Sequence, residues 1–351
     1  MHAVFRVDGS PALGGGHVMR CLTLARALTS RGWTCAFATT AASPQTVPSL
    51  AREDLRLIEG DAGEEPETMR RLWPTGTDLL VVDHYERDRT FESRCRGWAR
   101  RILAIDDLAD RVHDCDLLVD QTLGRRADDY AGLVPEDCRL LTGADYALLR
   151  PEFSAVRDES LSRRNERTGL GRILVNLGAT DAENHSLDVL RAVQESGISA
   201  AVDLVLGAAA PHIGTLEGII ANMPQRVRLH VEVDDMASLM AAADLAIGAA
   251  GTATWERCCL GLPSLVLVIA ENQRRIAEAV VAAGAARLIP GPRPKLTGQI
   301  KAALQDLADD GAALKDLSQG AAQVCDGLGV QRIERLLAAA DLKHDSAARQ
   351  V

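Results

Sequence analysis

Aromatic residues make up only 3% of this 351-residue chain, which leaves few platforms for stacking the bases of single-stranded nucleic acid. Positive charge is also in deficit. With 39 Lys and Arg against 49 Asp and Glu, the formal net charge is −10. Neither nucleic acid nor an anionic membrane is therefore expected as a partner found by bulk attraction, and an anionic substrate must have its charge met locally. Long apolar runs are missing: the best stretch, Leu262 to Ala270, falls well short of the ~18 residues of a membrane span. The opening Met1-His-Ala-Val-Phe-Arg reads as a strand with an early charge rather than a secretory signal. The eight cysteines, at 21, 35, 95, 115, 138, 258, 259 and 325, form no C-x-x-C pair. That excludes a zinc ribbon and a small disulfide scaffold. Reduced thiols in the cytoplasm are expected, most of them packed as small hydrophobes.

What is present describes a globular chain: 47% hydrophobic and 25% charged residues, at a length that suggests two domains of ~150 residues. The first half alternates strand and helix. Val4 to Val7 is a short strand, and Leu13-Gly-Gly-Gly-His-Val-Met-Arg is a turn entering a helix that ends before Gly32. Trp33 to Thr39, Leu79 to Asp83, Arg101 to Asp106 and Leu117 to Asp120 read as strands, the last three as continuous apolar runs closed by Asp. Residues 154–171 are crowded with arginine and acid and read as a linker. The alternation then restarts, with strands at Arg172 to Leu177, Ala201 to Leu206, Val227 to Val231, Leu245 to Ile247 and Leu265 to Ile269. The expected fold class is α/β, with two doubly wound Rossmann-like domains and a cleft between them. The expected boundaries are 1–153 for the N-terminal domain, 154–171 for the linker, 172–340 for the C-terminal domain and 341–351 for a polar tail.

Four clusters carry candidate chemistry. Gly14-Gly15-Gly16-His17 opens a helix, where free N–H groups and the dipole favour an anion. It is not G-x-G-x-x-G, because position 19 is Met19. An empty helix-entry turn fits the spacing as well as a phosphate cradle does. His17, a neutral imidazole in the first helical turn facing the cleft, is suited to general base work, but an ordinary capping-turn histidine has the same pattern. Gly248-Ala-Ala-Gly-Thr-Ala-Thr-Trp-Glu256 is a strand, a turn of small residues and a helix. Thr252 and Thr254 could hold a phosphate there, and Glu256 either accepts from a ribose diol or closes a capping box. Glu271-Asn272-Gln273 offers two amides at a strand end, or simply a helix N-cap. Asp83-His84-Tyr85 and Asp106-Asp107 can line a sugar pocket, or the last pair can be caps. The run His113-Asp114-Cys115-Asp116 looks like metal ligands, but its spacing fits no compact site, so no metal and no cofactor are expected. His2, His185, His212, His230 and His344 lack partner spacing and receive no role.

The second half, through Val231 to Ile247, Gly251-Thr-Ala-Thr-Trp-Glu256, Gly261-Leu-Pro and Glu271-Asn-Gln, resembles the UDP-sugar domain of MurG-like enzymes of the GT-B fold. The first half is more specific. Arg6-Val-Asp-Gly-Ser, Gly14 to Cys21, Asp83-His-Tyr85, Ile105 to His113, Asp120-Gln121 and Tyr146-Ala-Leu-Leu-Arg-Pro-Glu-Phe153 resemble the PseG family. Members of that family are UDP-2,4-diacetamido-2,4,6-trideoxy-β-L-altropyranose hydrolases of pseudaminic acid synthesis. The resemblance covers about residues 3 to 335.

The resemblance implies catalysis and sugar binding in the N-terminal domain and UDP binding in the C-terminal one. His17 then matches the histidine that activates water, with Gly14, Gly15, Gly16 and Arg20 of the same motif beside the substrate and Tyr85 in the sugar pocket. The backbone at Val231 and Val233 would grip uracil, Gly251 and Thr252 the diphosphate, and Glu256 the ribose. Asn272 and Gln273 would lie near the sugar and diphosphate. Two positions depart from the pattern: Ala250 stands where a second glycine usually precedes Gly251, and Ala179-Thr180-Asp181 replaces glycine-serine-aspartate after Gly178. A methyl there adds bulk where backbone should approach phosphate. The reaction implied is water attack at the anomeric carbon with inversion, on a UDP-sugar as the partner molecule. The alternative is a MurG-like glycosyltransferase, or a hydrolase of a related UDP-diacetamido-sugar in another nonulosonic acid pathway.

Overall fold

The computed structural model describes residues 1–10, 13–59, 63–166, 169–291 and 293–348. The chain divides into two units. The first comprises Met1–Leu149 together with Leu328–Val351, and the second Arg150–Gly327. No helix among the described residues is long and apolar enough to cross a membrane.

Unit 1 is built on seven strands: β1 (His2–Val7), β2 (Thr34–Thr39), β3 (Asp54–Leu57), β4 (Leu79–Asp83), β5 (Ile102–Ile105), β6 (Leu117–Asp120) and β7 (Arg139–Thr142). They form one sheet in the order β3-β2-β1-β4-β5-β6-β7, and every pairing is parallel. Period-2 side-chain alternation explains the two apolar layers. Ala3, Phe5 and Val7 of β1 join one cluster with Leu22, Leu28 and Phe37, whereas Val4 faces the other with Leu80, Trp73 and Trp98. The strand order reverses between β1 and β4, and register pairs Val7 with Asp83. That switch point is where a doubly wound sheet opens a crevice at its carboxyl edge. The helix Gly16–Ser30 covers one face through Val18, Cys21, Leu22, Leu24, Ala25 and Leu28, and Gly32 follows it with φ of 85°, the left-handed position expected at C′.

Unit 2 repeats the plan with β8 (Arg172–Asn176), β9 (Ala201–Leu206), β10 (Val227–Val231), β11 (Leu245–Ala249), β12 (Ser264–Leu267) and β13 (Arg287–Leu288). The order is β10-β9-β8-β11-β12-β13, again all parallel. Its switch point lies between β8 and β11, where Gly248 pairs with Asn176. These two parallel-sheet, Rossmann-like units are the α/β architecture expected from the sequence.

The segment read as a linker is helical, at Pro151–Ala155 and Arg157–Glu166. Its polarity has a local cause: the arginines cap other helices of unit 2. Arg164 donates from Nε to Leu260 O at 2.8 Å, from Nη1 to Ala243 O at 2.8 Å and from Nη2 to Met240 O at 2.9 Å. Arg157 reaches Ala322 O at 2.7 Å and Cys325 O at 2.9 Å, and Arg163 reaches Ala242 O at 2.8 Å. These carbonyls end the helices Met236–Ala242, Ala253–Cys259 and Gly311–Val324, where cations complement the dipole and satisfy orphan acceptors. Residues 167 and 168 of the expected linker, and 349–351 of the expected tail, lie outside the described residues. The helix Gly329–Ala348 occupies residues assigned from sequence to the C-terminal domain and the tail. It returns the chain to unit 1, where Val330, Ile333 and Leu337 enter the core beside Leu28. All eight cysteines are free thiols, six of them buried.

Candidate active site

In unit 1 the helix Gly16–Ser30 and the end of β4 bring His17, Arg20 and Asp83 together. Gly14 makes the turn, with φ of 75° and its N–H donating to Ser10 O at 2.7 Å. Gly15 is the N-cap residue and offers no side chain to the helix start; a Cβ there would meet Val47 Cγ2 at 2.7 Å. One turn on, His17 Nδ1 lies 2.6 Å from Asp83 Oδ1. Arg20 donates from Nε to Asp83 Oδ2 and from Nη2 to Asp83 Oδ1, each at 2.6 Å, and from Nη1 to Asp107 Oδ2 at 3.2 Å. Burial would raise the Asp83 carboxyl, but the charge of Arg20 and the hydrogen bonds from Arg20 and His17 hold it well below the usual carboxylate range. Arg20 Nη2 also lies 2.9 Å from Nδ1, but the shorter contact, to an ionised Asp83 oxygen, assigns the proton to Nδ1 and the lone pair to Nε2. The Tyr85 ring packs edge-on against the imidazole, with centroids 4.9 Å apart. The Gly14–Gly16 turn, His17, Arg20 and Tyr85, each anticipated from sequence, thus sit together. Arg20 is only 3% exposed and spends its donors on two carboxylates, which places it behind the imidazole.

A second network flanks this group; the sequence reading named His84 and Asp106 as pocket candidates and Asp8 and Asp120 only within family motifs, and it gave none of their pairings. Asp8, just past β1, accepts from His84 Nε2 at 3.1 Å, Thr40 N at 2.8 Å and Arg6 Nη2 at 2.9 Å. His84 Nδ1 accepts from Glu86 N–H at 3.0 Å, so both ring nitrogens are engaged. Glu65 pairs with Arg6 and with Arg87, the latter at 2.7 Å. Asp106 and Asp120, at the ends of β5 and β6, share the Tyr130 hydroxyl at 2.9 and 2.8 Å. Asp106 also accepts from Ala109 N at 2.9 Å, but no helix lies between β5 and β6, so this bond closes a turn and the helix-cap alternative for the Asp106-Asp107 pair does not hold. The signal that could have found Asp8 is its place at the carboxyl edge beside the switch point.

The metal-like run is taken apart by its neighbours. His113 Nδ1 meets Glu92 at 2.8 Å, Cys115 lies against Cys138 at 3.6 Å, and Asp114 and Asp116 pair with Arg96 at 2.8 and 2.7 Å. No group of three or more His, Cys, Asp or Glu among the described residues is arranged to hold a metal ion.

In unit 2 the turn from Ala250 to Thr252 leaves β11 at its switch point. Thr252 precedes the helix Ala253–Cys259 and makes no side-chain cap bond. The Gln273 amide lies over Gly251, such that a Cβ there would stand 3.9 Å from Nε2, and Gln273 Oε1 accepts from Ile269 N–H at 3.2 Å. Asn272 is exposed within the short 3₁₀ turn Glu271–Gln273, and the helix after it starts at Arg274, so Asn272 is not its N-cap. Glu256 is half-buried, and Arg150 Nη2 approaches its Oε1 at 3.7 Å. Burial raises the Glu256 carboxyl, and Arg150 only partly opposes this. Arg150 also donates to Asp234 O at 3.2 Å, which ties Glu256 to the segment containing Val231 and Val233. Val231 is 42% exposed and Glu232 has φ of 54°. The Ala250 methyl is wholly buried and Ala179 is exposed; Ala250 therefore adds no bulk to the open side of its turn. Arg150, inside the motif Tyr146 to Phe153, is the partner of Glu256 that spacing could not supply.

Comparisons with known proteins show what the chain is similar to. Residues 225–330 match the glycosyltransferase family 28 C-terminal domain. The UDP-2,4-diacetamido-2,4,6-trideoxy-β-L-altropyranose hydrolase of Campylobacter jejuni is 25% identical over 278 residues, 79% of this chain and 95% of that protein. The spore coat polysaccharide biosynthesis protein SpsG of Bacillus subtilis is 28% identical over 292 residues, 82% of this chain and 83% of that one. Among solved structures, MurG of Acinetobacter baumannii superposes with a TM-score of 0.69 at 14% identity, covering 96% of this chain and 99% of that one. The resemblance read from the motifs is thereby borne out: the chain has the GT-B fold of the MurG-like proteins, and its similarity in sequence extends over most of its length to the PseG hydrolase.

Proposed function

We propose that this protein hydrolyses a UDP-sugar, releasing UDP from UDP-2,4-diacetamido-2,4,6-trideoxy-β-L-altrose in pseudaminic acid synthesis. The observation that carries the reading is the Asp83–His17 pair, which leaves Nε2 as a base at the carboxyl edge of the unit 1 sheet. His17 Nε2 takes a proton from water as the oxygen bonds to the anomeric carbon. The bond from that carbon to the diphosphate oxygen breaks, and the electron pair leaves with UDP. One displacement inverts the centre. Asp83 keeps its charge and stabilises the imidazolium, which later yields its proton to solvent. Arg20 positions Asp83. Gly14, Gly15, Gly16 and Tyr85 lie against the sugar. In unit 2 the backbone at Val231 and Val233 receives uracil, Glu256 accepts from the ribose diol, and Gly251, Thr252, Asn272 and Gln273 meet the diphosphate. Preorganised dipoles spread the developing charge.

The test is UDP release from the diacetamido-sugar nucleotide without any acceptor, with NMR of the sugar product. The expected results are acceptor-independent release and an inverted anomer, with turnover in His17→Ala reduced about 10²-fold or more and UDP affinity retained. Release that depends stoichiometrically on an added acceptor favours the second reading, a glycosyltransferase, which the match of residues 225–330 to the family 28 domain supports.

A further inference from the structure

Arg257 lies inside the helix Ala253–Cys259 and is 2% exposed. Its Nη2 donates to Ala249 O at 2.9 Å and to Thr254 Oγ1 at 3.0 Å. Its Nε and Nη1 have no hydrogen-bond partner among the described residues. Burial works against its charge, and the Glu256 carboxylate compensates only in part. A buried guanidinium with two unsatisfied nitrogens and no ion-pair partner among the described residues is an expensive occupant of a core position. An apolar side chain would pack there at less cost, as Trp255 and Cys258 do on the same helix.

The sheet has nevertheless made room for it. A Cβ on Gly248 would stand 2.6 Å from Arg257 Nη1, 3.2 Å from Cζ and 3.0 Å from Asn176 O. Gly248 and Asn176 are register partners on β11 and β8, the two strands that part at the switch point. The guanidinium therefore packs against the ends of these strands and is hydrogen-bonded to both sides of the turn that starts at Ala250, through Ala249 O and Thr254 Oγ1. The turn, Ala250-Gly-Thr-Ala-Thr254, contains no cation of its own. A diphosphate seated on it would meet backbone dipoles and hydroxyls above one buried positive charge, and low local polarity strengthens that attraction.

We propose that Arg257 is the counter-charge of the nucleotide's diphosphate: a positioning residue that acts through the Ala249–Thr254 turn without touching the ligand, in a cradle that Gly248 keeps open. This rests on the reading of unit 2 as the UDP site. The anion supplies the negative charge that the guanidinium lacks in the empty protein. Binding should therefore discriminate by phosphate charge, and the discrimination should track residue 257.

The test measures affinities for UDP, UMP and uridine with the full chain, by calorimetry and ligand-observed NMR, together with the melting temperature. Arg257→Met is expected to weaken UDP about 10-fold or more, to weaken UMP less, and to leave uridine within about twofold. Arg257→Lys should restore part of the UDP preference. Gly248→Ala keeps the charge but crowds its seat, and it should also reduce UDP more than uridine, which keeps the proposal testable where Arg257→Met does not fold. Equal loss for all three ligands alongside a lower melting temperature would mean a structural strap only and overturns the inference. If the unaltered protein itself binds UDP no better than uridine, the UDP reading fails, an outcome distinct from a UDP preference that persists in Arg257→Met.

Discussion

Asp83 Oδ1 stands 2.6 Å from His17 Nδ1 across a sequence separation of 66 residues, and Arg20 closes the triangle from one helical turn beyond His17. A buried carboxylate held by an arginine and aimed at an imidazole fixes both the ring's orientation and its tautomer.

Asp83→Asn removes the charge but little volume. Turnover should fall by ~10²–10⁴, while UDP affinity, which the proposed function assigns to unit 2, changes little. Parallel kinetics and calorimetry check this. Unchanged turnover in a folded Asp83→Asn protein would remove Asp83 from the mechanism.

Acid should destabilise the fold through the same carboxyl. Asp83 and Asp8 are held below the usual carboxylate range by Arg20 and His17 in one case, and by His84 and Arg6 in the other, against the effect of burial. A depressed folded-state value adds stability that is present above the unfolded value near 4 and lost as pH falls toward the folded one. Urea midpoints should therefore decline from about pH 5 downward, and Asp83→Asn should show a shallower decline in that window. Identical slopes for the two proteins would refute the linkage.

Glu256 has the opposite sign. Burial raises its carboxyl, so its contribution is fully present below the unfolded value near 4.3 and is lost as pH rises through the folded value. Glu256→Gln should leave the melting temperature at pH 8 unchanged or higher, yet weaken UDP about 10-fold or more. Differential scanning calorimetry beside UDP titration separates the two effects, and a variant that loses stability but binds UDP normally contradicts the assignment.

Arg164→Met leaves three carbonyls, of Leu260, Ala243 and Met240, without their donor. The expected cost is about 2–4 kcal/mol in urea unfolding, with no direct effect on the His17 group. A loss under about 0.5 kcal/mol would show that water replaces the guanidinium freely.

Legibility followed burial and periodicity. Strand β4 reads from sequence because Leu79 to Asp83 is buried on both faces, and the helix after Gly15 because its apolar residues keep helical spacing. Edge strand β3, Asp-Leu-Arg-Leu, is mostly exposed and has too little apolar pattern to announce itself. The arginines of Arg157–Glu166 suggested a solvated linker because composition cannot show that carbonyl groups from distant helices wait for them. At the site, His17 and the glycine turn were visible as a local pattern. The pairing of Asp8 with His84 depends on β1 and β4 adjoining, and that of Glu256 with Arg150 on the packing of the helices Ala253–Cys259 and Pro151–Ala155, neither of which local spacing supplies.

The helix Gly329–Ala348 makes unit 1 discontinuous, since Val330, Ile333 and Leu337 complete a core begun by residues before Leu149. Truncation after Leu149 would strip that apolar surface bare and invite aggregation. Dissecting this protein thus calls for splicing residues 328–348 back onto the N-terminal portion through a short bridge, whereas 150–327 can be excised as one uninterrupted stretch.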